Sequence, residues 1–144
     1  MSVLNKEQRA KLFKIREALD DFVAQIADVP QKINQYTETI RVWKPGVYAI
    51  GDVRIENGIP YKCVQAHDST ANAGWTPSAT ASLWMQYHGT THDTARAWIA
   101  PTGAHDMYLT GEYMIWTDGN VYLCLQDTVY DPSAYATAWE ISQA

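Results

Sequence analysis

Phenylalanine is almost missing from this chain: two residues of 144, against six Trp and nine Tyr. The aromatic content therefore sits in side chains that join an apolar ring to a polar tip, a bias that suits small cores and sugar-facing surfaces alike. An excess of positive charge is also missing. Eleven Lys and Arg against sixteen Asp and Glu leave a formal charge of −5, and a chain without a concentrated basic face is not expected to bind nucleic acid. No apolar run approaches the roughly 20 residues of a membrane span, and the opening Met-Ser-Val-Leu-Asn-Lys-Glu lacks the apolar stretch of a signal peptide. The expectation is a soluble product made in the cytoplasm, with no membrane contact.

Catalytic signatures are wanting too. There is no Gly-rich phosphate loop, nucleophile elbow or Cys-His arrangement. Glycoside hydrolysis needs two carboxyls flanking one sugar. Asp52 and Glu112 are the repeated acids, but they fall in different halves of the chain, each beside a turn glycine where a local hydrogen-bonding role is commoner. His88 and His92 stand four apart with no helix expected between them and no third ligand. The expectation is no enzyme, no cofactor and no metal. The two cysteines, Cys63 and Cys124, each follow a tyrosine by two positions in a strand-like run, which places Tyr and Cys on one face. They read as buried reduced thiols ahead of a disulfide or a metal site.

What the chain does have is an internal repeat. Tyr48, Gly51, Asp52, Ile55, Gly58, Tyr61, Cys63, Gln65, Pro77 and Trp84 recur in order as Tyr108, Gly111, Glu112, Ile115, Gly119, Tyr122, Cys124, Gln126, Pro132 and Trp139. Trp43 and Trp98 open the two copies. A unit of roughly 45 residues buries little surface, is held by a few large aromatics, and seldom encloses a deep catalytic pocket. Trp84, Trp139, Tyr48, Tyr61, Tyr108 and Tyr122 read as core.

Ahead of the repeat, Leu12, Ile15, Leu19, Phe22, Ile26, Val29, Ile33, Tyr36 and Ile40 alternate steps of three and four, the a/d pattern of a coiled coil. β-branched and aromatic d residues favour a trimeric core over a dimer. Pro30 should kink or restart the helix near Asp28, while falling outside the seam. The other reading is a helix packed back on the units that follow it.

After Trp43-Lys-Pro-Gly46 the period changes to short strands, with turns at Asn57-Gly58 and Asp118-Gly119 suited to tight hairpins. The fold class is thus α+β: an N-terminal kinked coiled-coil helix followed by two small antiparallel β modules in tandem. Residues 1–41 form the helical oligomerisation segment, 42–88 the first module, 89–97 a linker and 98–144 the second module.

The run Tyr48-Ala-Ile-Gly-Asp-Val, Asn57-Gly58, Tyr61-Lys-Cys-Val-Gln-Ala-His67, Gly74-Trp-Thr-Pro77 and Leu83-Trp84 closely resembles the chitin-binding type 3 carbohydrate-binding modules of families 5 and 12. The second copy, with Trp98, Pro101-Thr-Gly-Ala-His-Asp106 and Trp139, looks like the partner module that follows such a domain in phage and prophage tail proteins. The Lys-Ile-Arg-Glu-Ala18 helix running into Trp43-Lys-Pro45 is similar to the start of those proteins. In the family, sugar rests mainly on the exposed aromatic of the Gly-Trp-x-Pro motif, so the resemblance makes Trp75 the first carbohydrate-binding candidate. Tyr130 corresponds to it in the second copy, where the loop after the cysteine is six residues shorter. Trp116, in a strand that otherwise alternates, is a secondary candidate. His67 enters the set through family likeness, more as a structural hydrogen-bonding residue than as a ligand.

The resemblance implies a non-catalytic component of a virion tail fibre or baseplate. Its partners would be a bacterial surface polysaccharide, other tail proteins, and further copies of itself, a trimer first. The alternative is a purely structural virion part whose aromatics contact other tail proteins.

Overall fold

A computed structural model describes residues 3–103 and 105–144. Helix α1 spans Lys6–Ile26 and opens with a capping box. Asn5 Oδ1 accepts from the Gln8 amide at 2.7 Å and Gln8 Oε1 accepts from the Asn5 amide at 3.0 Å, which satisfies two of the free donors of the first turn. The helix stops at Ala27, and Pro30 occupies the first turn of a separate helix α2, Pro30–Gln35, where its missing N–H costs nothing. Pro30 therefore restarts the helix rather than bending it.

That restart corrects the single-seam reading. Ile26, Ile33 and Ile40 are buried within this chain, packed with Val23 and Ala27 against Val53, Ile55 and Tyr87 of the β region. Ile33 is fully buried. Leu12 and Ile15, earlier in the same a/d row, are at least half exposed beside Phe13. The row thus divides: its later a positions fasten the helices to the first β unit, and its early positions face outward. Tyr87 Oη donates to the Ala27 carbonyl at 2.6 Å and closes the end of α1 onto that unit. Asp20 holds Arg41 bidentately and also pairs with Arg16, which fixes the entry of the chain into the first strand region.

The first unit contains β1 (Val47–Tyr48), β2 (Val53–Glu56), β3 (Ile59–Cys63), β4 (His67–Asp68) and β5 (Trp84–Gln86). Strands β2, β3 and β5 form one antiparallel sheet, and β1 pairs with β4 in a second. Asn57 and Gly58 both take positive φ, 52° and 77°, so the β2–β3 hairpin turns on two left-handed residues as Asn-Gly suggests. The core is Tyr48, Tyr61, Cys63 and Trp84, with Trp43, Ile59 and Leu83 packed against it.

The second unit contains β6 (Arg96–Ala97), β7 (Tyr113–Ile115), β8 (Val121–Cys124) and β9 (Trp139–Ile141) in one four-stranded sheet. It is mixed rather than wholly antiparallel, because β6 runs parallel to β7. Its hairpin differs as well. Only Gly119 has positive φ, and the Gly119 amide donates to the Trp116 carbonyl at 3.0 Å, giving a loop one residue longer than that of the first unit. Tyr108, Met114, Cys124, Ala138 and Trp139 form its core.

Matching positions in the two halves carry matching bonds. The Gly51 and Gly111 amides donate to the Cys63 and Cys124 carbonyls at 2.8 and 2.9 Å, both glycines lying near φ +95°. Tyr48 Oη meets the Lys44 amide, and Tyr108 Oη the Ile99 amide. Asp52 and Glu112 each cap an amide three residues back, Ala49 and Leu109, which is the local role their turn setting suggested.

The stretch 89–97, read as a linker, is built into the fold. Gly89 bridges to Tyr113, and a Cβ on Gly89 would stand 2.5 Å from the Thr94 carbonyl oxygen, so only glycine fits there. Asn34 of α2 donates to the His88 carbonyl at 3.0 Å, while Arg96 donates to the Tyr87 carbonyl and to Asn34 Oδ1, each at 2.7 Å. Helix α2 is thereby stitched to the start of the second unit.

Candidate functional site

Trp75 is set on a loop that its own backbone stiffens. Ser69, fully buried, anchors the base: its amide and hydroxyl donate to the Gly46 carbonyl at 2.8 and 3.0 Å, and its hydroxyl accepts from the Gly46 amide at 3.0 Å. The Asn72 amide then donates to Ser69, and the Trp75 amide to Asn72. Pro77 is buried and opens the 3-10 turn Pro77–Ala79 immediately beyond. Ser78 is clamped by Glu56, which accepts from its amide at 2.8 Å and its hydroxyl at 3.1 Å. Two successive turns and a buried anchor hold the loop backbone that carries the indole.

The indole is 40% exposed, whereas Trp84 in the same unit is 2% exposed. The two tryptophans thus divide into an exposed ring and a buried plug. A flat indole can take the apolar C–H face of a pyranose while the sugar hydroxyls stay wet or find polar partners. Asp68 is the nearest acid in the chain before this loop. Its carboxyl is held below the usual range by the Thr70 hydroxyl and amide, so it is committed to the turn.

Tyr130 is 59% exposed, on the shorter loop of the second unit. There the loop closes differently: Thr128 Oγ1 caps the Tyr130 amide, Asp131 caps Ser133 and Ala134, and Trp139 Nε1 donates to the Tyr130 carbonyl at 3.0 Å. The matching Trp84 Nε1 in the first unit is buried without a partner among the described residues. A buried unpaired N–H costs about 1–3 kcal/mol. The longer loop that lifts Trp75 therefore forgoes a bond that the shorter loop makes.

The other two candidates are placed inward. Trp116 is half-buried and meets Trp98 edge-on at 5.8 Å within the second core. His67 packs against Tyr48 and Trp84, 5.7 Å from each ring; its Nδ1 is 2.7 Å from the Gln65 carbonyl and its Nε2 is buried. The structure gives His67 a packing role and leaves Trp75 and Tyr130 as the exposed aromatics of the four. The residues that sequence reasoning missed are Ser69 and Gly46, which meet only through the β1–β4 pairing and carry no local pattern.

Both cysteines are free and buried, each Sγ donating to the carbonyl two residues on, Gln65 or Gln126, at 3.1 Å. Burial pushes the Cys63 thiol up, and that of Cys124 up to about 11. Among the described residues no three His, Cys, Asp or Glu side chains gather as metal ligands, and no helix is long and apolar enough to cross a membrane.

Residues 42–85 match the family model described as carbohydrate-binding module family 5/12. The match takes in β1 to the start of β5, including the loop that carries Trp75. The first unit is therefore similar to modules of a class that binds carbohydrate without transforming it. No curated protein matches the chain.

Proposed function

We propose that this protein is a non-catalytic carbohydrate-binding component of a phage or prophage tail, which recognises a bacterial surface glycan by stacking a sugar ring on Trp75. The observation that carries the reading is the exposed indole at the Gly74-Trp75-Thr76-Pro77 position, inside the stretch that matches the carbohydrate-binding family. Tyr130 offers a second, lesser platform. The tail assignment is supported by the resemblance of the leading helix and of the second copy to such proteins.

One stacking contact makes a weak complex, and a millimolar dissociation constant corresponds to about 4 kcal/mol. Copies joined through the outward face of α1, where Leu12, Phe13 and Ile15 are exposed, would raise the avidity if their sites engage one surface together. The same face favours a second reading, a structural virion part that contacts other tail proteins. A glycan array decides between them. The first expects binding to a bacterial polysaccharide that Trp75→Ala abolishes with melting unchanged; the second expects no glycan to be retained.

A further inference from the structure

We infer that a groove beside the Trp75 loop is a subsite for an anionic group, phosphate or carboxylate, on the saccharide; the inference deepens the glycan-binding reading and rests on it. The groove, about 410 Å³, is lined by Arg41, Val42, Lys44, Val47, Tyr48 and Arg54 together with the Pro45-Gly46 turn. Three cations and no acid line it, in a chain whose formal charge is −5. A negative ligand is repelled by the molecule at large and attracted here.

The cations are not spent on the fold in the same way. Arg41 is held by Asp20. Among the described residues, Lys44 and Arg54 make no ion pair. Arg54 lies over the Tyr48 ring, 5.0 Å from its centroid, and donates to its own strand at the Val53 carbonyl. Asp68, paired with Val47 across β1 and β4, is engaged in capping Thr70.

The internal repeat shows what the scaffold itself requires. Lys44 and Ile99 occupy matching positions, since both amides face the hydroxyl of the core tyrosine. Arg54 and Met114 likewise each precede the isoleucine that bonds to the opening tryptophan, Ile55 or Ile115. An apolar residue therefore serves at both places in the second unit, and the first unit's charges are additions to a fold that stands without them. Val42 and Val47, 72% and 74% exposed, give the groove an apolar rim for a sugar face. The Gly46 wall of the groove is bonded to Ser69, the anchor of the Trp75 loop, so the groove is tied to the base of the loop that carries the indole.

The test measures binding of the full chain to three oligomers of equal length: phosphate-linked N-acetylglucosamine, galacturonate and neutral N-acetylglucosamine. Both anionic oligomers, or one of them, should bind more tightly than the neutral one at low salt, with the advantage fading once the screening length falls to a few ångströms. Lys44→Ile with Arg54→Met, which copy the second unit and should fold, ought to erase the advantage, up to about fivefold per cation at low salt. Preference for one anion identifies the group. Anionic oligomers that bind no better than the neutral one, or a preference that survives the double variant, overturn the inference. The stacking reading fails separately, through a neutral oligomer that does not bind or that binds Trp75→Ala as well as the parent.

Discussion

The imidazole of His88 lies flat on the ring of Tyr108, centroids 3.7 Å apart and planes within 8°, while its Nδ1 sits 2.8 Å from Glu112 Oε1. His88 ends the first unit, and Tyr108 and Glu112 belong to the core and rim of the second, so this stack joins the two. Glu112→Ala should strip the partner from both the buried His88 and the half-exposed Leu109 amide, at a cost of about 1–3 kcal/mol for the buried imidazole left unpaired. Limited proteolysis should then open the stretch 89–95. Unchanged melting and protease resistance would dismiss the stack as a tie between the units.

Trp75→Ala and Trp84→Ala should part company. The first removes an exposed ring and should shift stability by no more than about 0.5–1 kcal/mol while abolishing glycan binding. The second empties the core between Tyr48 and His67 and should cost about 3–5 kcal/mol. Calorimetry beside a binding assay separates the two, and a strongly destabilised Trp75→Ala would count against the platform assignment.

Alkaline conditions should weaken the fold through the thiols. A Cys124 pKa raised to about 11 means that the folded state resists forming the thiolate. Once the pH exceeds the ordinary thiol value near 9, the unfolded chain releases its proton and the folded chain does not, so stability falls as pH rises from there toward 11. Denaturant midpoints at pH 8 and 10.5 should show the drop, and Cys124→Ala should shrink it. Thiol reagents should label neither cysteine until the chain unfolds.

Ile33→Ala and Leu12→Ala test the division of the heptad row. Ile33 is fully buried against the first unit, so its truncation should cost about 2–5 kcal/mol. Leu12 is half exposed and should leave monomer stability nearly unchanged. Sedimentation of the Leu12→Ala, Phe13→Ala, Ile15→Ala triple variant should show fewer associated copies than the parent. A parent that sediments as a monomer at micromolar concentration would remove self-association from the account.

Much of the β architecture was readable from residues alone because its signals are local. Asn57-Gly58 specifies its own turn, and a Tyr-x-Cys strand sets its own inward face. The same locality makes the repeat visible, since Gly51 and Gly111 need a conformation that few other residues accept. The helical row was harder. Leu12, Ile15, Ile26 and Ile33 obey one period, but a period states only that a face is apolar, not whether another chain or the same one covers it.

The candidate site divides along the same line. Trp75 announced itself through its motif, whereas His67 and Trp116 turned inward because neighbouring rings, distant in sequence, claimed them first. Chain chemistry settled the repeated strands, the Asn57-Gly58 turn and the buried thiols. Folding in three dimensions chose which apolar residues stay outside, drew Arg96 and Ala97 into the second sheet, and set Lys44 and Arg54 around one groove. Those outcomes depend on long-range packing, where each side chain's surroundings come from segments that sequence order keeps apart.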